Sequence, residues 1–187
     1  MNVISPLYAV VGLLVVQRVA ELVLARRNRR ALLARGAIEV GERHYKALVT
    51  LHAGWLLALL VTIEPRALVS IPWLVVFGLL QCGRIWVIAT LGTRWTTRVM
   101  VLPGATRIRS GPYRFVNHPN YLIVCGEIAV VPLMFGAWAL AVVGSGLNLL
   151  LLRKRLVVEN KALAKFYDQP SRSPPRVEGP SSESHGK

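Results

Sequence analysis

Five apolar segments, at residues 3–25, 48–63, 67–89, 121–135 and 137–152, run through this chain, joined by connections that alternate between strongly basic and nearly neutral. No other feature constrains the fold as much. A bilayer core is crossed by about 20 apolar residues in a helix, where each backbone N–H and C=O is satisfied within the segment. The second, fourth and fifth segments are a little short for that, so flanking residues must be drawn in or the bilayer thinned locally. The expected fold is an all-α integral membrane protein of about five transmembrane helices. The first segment has no basic region before it and no small-residue cleavage site near it, which favours a retained helix over a signal peptide.

The charge alternation sets an orientation. Arg26, Arg27, Arg29, Arg30, Arg35, Arg43 and Lys46 lie between the first two segments, and Arg94, Arg98, Arg107, Arg109 and Arg114 between the third and fourth. Arg153, Lys154, Arg155, Lys161 and Lys165 follow the fifth, whereas the remaining connections hold little more than Glu64-Pro65-Arg66 and Gly136. Basic loops stay in the cytoplasm, so the N-terminus is expected outside. The two short connections predict antiparallel hairpins of segments two with three and four with five, with Gly126, Ala129, Gly144 and Gly146 allowing helices four and five to approach. Residues 1–167 form the expected membrane domain. Residues 168–187, rich in Pro, Ser, Arg and Gly, have nothing to bury and are expected to be a disordered cytoplasmic tail.

Composition agrees with that reading. The chain is 53% hydrophobic and only 17% charged over 187 residues, whereas soluble domains carry about 25% charged residues. The net charge of +14 is gathered between apolar segments and not spread over a soluble surface, which argues against nucleic acid as a partner. Cys82 and Cys125 lie in apolar segments without metal-ligand spacing, so neither a metal site nor a disulfide framework is expected.

The chemistry concentrates in GPYRFVNHPNY, residues 111–121, at the cytoplasmic entry to the fourth segment. Ser110-Gly111-Pro112 reads as a turn, and His118-Pro119-Asn120 as a helix start where Asn120 could satisfy free amides. A simple cap does not explain Tyr113, His118 and Tyr121 together. Arg155 and Glu159 in RLVVENKALAKFY share a helix face at i, i+4, which by itself is equally the spacing of a surface ion pair. Of the charges inside spans, Arg18 and Glu21 are three apart and suit a mutual pair. Glu127 could either pair with Arg84 or line a channel. His44 and His52 read as structural.

These two motifs, in order and separated by a hydrophobic hairpin, resemble the isoprenylcysteine carboxyl methyltransferase family of integral-membrane enzymes, and the N-terminal half is similar to a bacterial branch of it. The family pattern is Gly-x-Tyr, Arg-His-Pro-x-Tyr and Arg-x-x-x-Glu-Glu; here Asn117 and Asn160 replace the first Arg and the last Glu. The resemblance implies methyl transfer from S-adenosyl-L-methionine at a cytoplasmic site. Carried over position by position, the cofactor contacts are Ala105, Thr106, Arg107, Ile108, Tyr113, His118, Pro119, Asn120, Tyr121 and Glu159. Arg155 takes the substrate-directed role, with Arg114 a substitute cation for the Arg missing at 117. Catalytic work falls to Arg155, and to His118 if the acceptor needs a base, while Glu127 is a candidate for the acceptor channel.

The residue chemistry is compatible with this. Aromatic faces suit a sulfonium cation and an adenine ring, and a carboxylate suits ribose hydroxyls or an ammonium. The expected acceptor is lipid-like and enters from the surrounding membrane lipids: a prenylated, isoprenylcysteine-type carboxylate, or a long-chain alkylpyrone or phenolic lipid in a bacterial inner membrane. Two other functions stay open from the residues: an NADPH-dependent sterol-type membrane reductase, which shares a His-Pro-Asn-Tyr stretch, and a non-catalytic membrane scaffold.

Overall fold

The structure, a computed structural model, describes residues 5–40, 42–106 and 108–167, with backbone alone at 42–45 and 162–167; the tail expected from residue 168 and the cofactor candidate Arg107 lie outside them. Five α-helices are present among the described residues: α1 (Pro6–Ala34), α2 (Glu42–Thr62), α3 (Ile71–Leu91), α4 (Pro119–Met134) and α5 (Trp138–Tyr167). Helices α1, α3 and α4 each begin with Pro in the first turn, where its fixed φ suits the helix and its missing N–H would have been unpaired anyway. Helix α1, and Ile71–Arg94 spanning α3 and the 3₁₀ turn after it, are long and apolar enough to cross a membrane; Lys46–Thr62 and Pro119–Met134 are shorter apolar helices.

Several boundaries differ from expectation. Helix α1 continues through the basic stretch to Ala34 and α5 continues to Tyr167, because arginine and lysine are good helix formers once the helix has emerged from the apolar layer. The fold is also not purely helical: β1 (Ile38–Val40) pairs antiparallel with β2 (Val99–Val101), Ile38 facing Val101. Strands this short leave no periodic signature. Glu39 holds this strap by accepting from Arg29 Nε at 2.6 Å and from Arg98.

The α2–α3 connection, residues 63–70, is longer than a tight hairpin, and the packing follows different pairs: α3 lies chiefly on α4, and α2 on α5. The α4–α5 hairpin does form. Gly136 takes φ 74° and Ala137 N–H closes on the Pro132 carbonyl at 2.9 Å, a backbone geometry that a side chain would strain. The small residues serve the expected approach of α4 and α5 only in part, at Gly144. A Cβ on Gly126 would strike Leu80 of α3, one on Gly144 would crowd Trp55 of α2 and Ile128 of α4, and Gly146 has open space.

The helices pack in three levels. At the end where Ser5 Oγ donates to the Pro65 carbonyl, an apolar core gathers Leu7, Val11, Leu14, Trp55, Leu59, Phe77 and Met134. A smaller core near the opposite end holds Ala25, Val87, Trp95 and Ile123. Between them lies a buried ionic cluster. Arg84 donates to Glu127 through Nε at 3.0 Å and again through Nη2, and reaches Glu21 at 3.2 Å. Arg18 bridges the same two carboxylates at 2.8 and 2.6 Å, while Gln17 and Gln81 donate to Glu21 and Glu127 at 2.9 and 2.8 Å.

Two guanidinium groups thus neutralise two carboxylates, and both partner choices read from the sequence, Arg18 with Glu21 and Arg84 with Glu127, are made at once. The surface is the reverse of a water-soluble one: Val61 is 76% exposed while Glu127 is 2% exposed. An apolar exterior around a buried charged layer is the arrangement that lipid favours.

Candidate functional site

The site is assembled where the loop after α3, the entry to α4 and the far end of α5 converge. Gly111 opens a 3₁₀ turn, Gly111–Arg114, at φ 56°, pressed against Thr90 so that any Cβ would collide. The chain then enters α4 with His118 at the cap position and Pro119 buried in the first turn. Asn120 does not act as the expected cap. No side-chain cap bond forms, and Asn120 Oδ1 is buried without a partner among the described residues.

Tyr121 is the hub. Its ring stacks on His118, centroids 5.3 Å apart at 14°, because three residues on a helix bring side chains to one face. Its hydroxyl accepts from Arg155 Nε at 2.8 Å and donates to Glu159. Arg155 and Glu159 therefore do not form the plain i, i+4 ion pair that their spacing allows. Each instead bonds the same phenol, with the Arg155 guanidinium 5.4 Å from the ring centroid. Arg155 Nη2 also donates to the Thr97 carbonyl at 2.8 Å, which leaves Nη1 without a partner among the described residues. His118 Nδ1 lies 3.6 Å from Glu159. Tyr113 is held neutral: burial first, and then the Glu159 charge, push its hydroxyl up to about 12.

Two cavities open on this cluster. One, of about 160 Å³, is walled mainly by polar groups, among them Arg94, Arg98, Tyr113, Asn117, His118 and Glu159. The other, of about 270 Å³, runs between helices and has largely apolar walls such as Leu22, Leu48, Val49, Leu56, Val124 and Leu152. They share Trp95, Thr96, Asn120, Tyr121 and Arg155. A polar chamber and an apolar one thus meet at a common wall that carries a guanidinium and an unsatisfied amide oxygen.

The structure therefore brings together Tyr113, His118, Asn120, Tyr121, Arg155 and Glu159, with Pro119 shaping the helix start behind them. It does not bring Ala105, Thr106 and Ile108 to either wall. Ala105 closes a turn on the Leu102 carbonyl, and the Thr106 carbonyl receives Arg94 at 2.8 Å, so that strip supports a wall residue and is not itself a wall. Glu127 sits behind Arg18 and Arg84, its oxygens taken up by them and by Gln81, and lines neither cavity. Arg114, the expected substitute cation, is exposed and lies over Phe115; Arg94 and Arg98 line the polar chamber in its place. Asn160 is exposed.

Sequence reasoning missed Trp95, Thr96 and Thr97. Their signal was faint, an aromatic and two hydroxyl residues inside a basic loop, and they reach the site because buried Asn28 of α1 donates to the Gly92 and Trp95 carbonyls at 3.1 and 2.8 Å.

Comparison with known proteins adds a lineage to this geometry. The profile of the isoprenylcysteine carboxyl methyltransferase (ICMT) family matches residues 73–165. An uncharacterized protein, YpbQ, of Bacillus subtilis is 34% identical over 167 residues, covering 85% of this chain and 97% of the relative. An uncharacterized protein of Haemophilus influenzae is 28% identical over 155 residues, covering 80% and 90%. No solved structure matches.

Proposed function

The chain belongs to the isoprenylcysteine carboxyl methyltransferase family, and from that premise we propose that it transfers the methyl group of S-adenosyl-L-methionine to an oxygen of a lipid-like acceptor. The observation that carries the reading is the common wall of the two cavities, where a polar donor and an apolar acceptor would be brought edge to edge.

The residues of the polar chamber fit the cofactor. Stacked His118 and Tyr121, together with Tyr113, offer ring faces, Glu159 offers a carboxylate, and the buried Asn120 Oδ1 is a hydrogen-bond acceptor awaiting a donor. When bound, S-adenosyl-L-methionine supplies an electrophilic methyl group on a sulfonium sulfur. Arg155 is fixed at two of its nitrogens, by Tyr121 and Thr97, and turns the third toward an anionic acceptor oxygen. A carboxylate acceptor is already ionised and needs only this placement. For a phenol or enol, Glu159 favours the proton on His118 Nδ1, leaving Nε2 to take the acceptor proton. The apolar walls keep water from the transfer point.

In the membrane, the five helices would place the loop after α3 and the end of α5 on the cytoplasmic side with the N-terminus outside, residues 1–167 acting as one membrane domain and 168–187 as a cytoplasmic tail. The short apolar lengths of α2 and α4 require bilayer thinning or tilt around them. The test is ligand protection of the purified protein against heating: S-adenosyl-L-methionine should raise Tm and NADPH should not, and Glu159→Ala should weaken the effect. Protection by NADPH alone would replace this reading with that of a membrane reductase.

A further inference from the structure

The apolar cavity is not apolar throughout. Its wall includes Asn148 of α5 and His52 of α2 as well as Arg18, Glu21 and Arg84. The three charged groups bond one another, but each of the two neutral ones keeps one acceptor atom without a partner among the described residues. Asn148 is 1% exposed, and its Oδ1 has no partner among the described residues while its Nδ2 contacts Cys125 Sγ at 3.3 Å. His52 Nδ1 lies 2.7 Å from the Leu48 carbonyl. A carbonyl can only accept, so Nδ1 carries the hydrogen, and in the uncharged ring Nε2 is an acceptor, without a hydrogen-bond partner among the described residues.

The helices put these two acceptors at one depth. Helices α2 and α5 are packed partners, and Trp55 lies against Gly144. With the chains running in opposite directions, three residues back from Trp55 and four forward from Gly144 reach the same level. An unpaired amide oxygen in an apolar setting is destabilising, so a bound group that donates to it is favoured. Asn148 is seven residues from Arg155 on the same helix, two turns, or about 10 Å along the axis.

We infer that the acceptor carries a second polar group, a hydrogen-bond donor such as a hydroxyl or N–H, about 10 Å from the oxygen held by Arg155, and that Asn148 with His52 selects for it. This rests on the proposed function in taking the apolar cavity as the acceptor site. The atoms left open on the two groups, Asn148 Oδ1 and His52 Nε2, accept, so a ligand group that pairs with them must donate; a ketone or an ester carbonyl cannot. Asn148 and His52 are specificity residues in this reading and take no part in methyl transfer.

The test uses the full chain in detergent micelles and three probes of equal chain length: stearic acid, the mid-chain hydroxylated acid and the mid-chain oxo acid. Binding is read by calorimetry. The hydroxy acid should bind about fivefold or more tighter than stearic acid, the worth of one net hydrogen bond, with the oxo acid no better than stearic acid. Asn148→Leu should erase the preference while stearic acid binds as well as before. The wild-type comparison needs no variant, so a destabilised mutant does not remove the test. No preference in the wild type, an equal gain by the oxo acid, or a preference that survives Asn148→Leu would overturn the assignment. S-adenosyl-L-methionine binding measured on the same preparation separates the two claims. Cofactor binding without probe preference sinks only the selectivity, and preference without cofactor binding sinks only the methyltransferase reading.

Discussion

Two polar clusters lie among the helices, and they differ in whether they are finished. In the Arg18–Glu21–Arg84–Glu127 cluster, two positive and two negative groups meet, and both glutamines nearby donate into it. Around Tyr121, one guanidinium, one carboxylate and one imidazole share a phenol, while Arg155 Nη1 and Asn120 Oδ1 remain without described partners beside two cavities. A buried cluster that satisfies itself holds helices together; one that leaves specific valences open toward a cavity is organised for a ligand. Charge in the membrane is therefore not enough to mark a site, and the unsaturated atoms are the better guide.

The largest effect should come from breaking the finished cluster. Glu127→Leu leaves buried Arg84 and partly buried Arg18 facing one carboxylate, and removing one partner of a buried pair costs about 3–5 kcal/mol. Tm should fall steeply, while turnover per folded molecule holds. Lost turnover in a protein of unchanged Tm would instead return Glu127 to the acceptor role that its sequence position allowed.

Next comes the open cluster. Arg155→Lys keeps the charge but loses the planar fork, so transfer should fall about tenfold or more, in line with roughly 1.5–3 kcal/mol for a charged hydrogen bond, with donor affinity nearly unchanged. Arg155→Ala should be worse. Normal turnover per folded molecule would make Arg155 a structural residue like Arg84 and abolish the contrast.

Tyr121→Phe should be milder. It removes the shared hydroxyl but leaves the ring and both charged groups in place, with Arg155 still held by the Thr97 carbonyl. A several-fold loss is therefore expected in single-turnover kinetics, with donor affinity shifting as well because Glu159 is released. An effect confined to Tm would again blur the two clusters.

The smallest effect belongs to a third ionic group, at the β1–β2 strap. Burial works to raise the Glu39 carboxyl, but hydrogen bonds and charge from Arg98 and Arg29 outweigh it and leave it below its usual 4.5. A group depressed in the folded state adds stability above its unfolded value and loses it as pH falls through the folded one. Melting curves should therefore show the Glu39 contribution at neutral pH and lose it in acid below about 4.5, with Glu39→Gln flattening that limb. The pair is partly exposed, so the total should stay within about 1 kcal/mol.

Much of this was legible in one dimension. The apolar segments, the hairpin at Gly136 and the residues Tyr113, His118, Tyr121, Arg155 and Glu159 all stood out, because hydropathy and two compact motifs are local signals. The roles of Asn148 and Arg94, and the open valence of Asn120, were not legible, because whether a polar atom has a partner depends on helices far apart in the chain. The same holds for Ala105, Thr106 and Ile108, whose absence from both walls follows from how the loop folds back.

The amino-acid sequence by itself determined that this chain forms apolar helices with basic ends and carries the motifs of its family, since periodicity, charge and turn residues act over a few positions. Only the tertiary structure decided that α2 pairs with α5 and α3 with α4, that four charges from α1, α3 and α4 neutralise one another, and that two cavities share the wall at Tyr121 and Arg155. Those outcomes depend on which helix faces meet. In an environment where the outside is as apolar as the inside, hydrophobicity does not choose between faces; the buried polar groups do, each by the partners it must find.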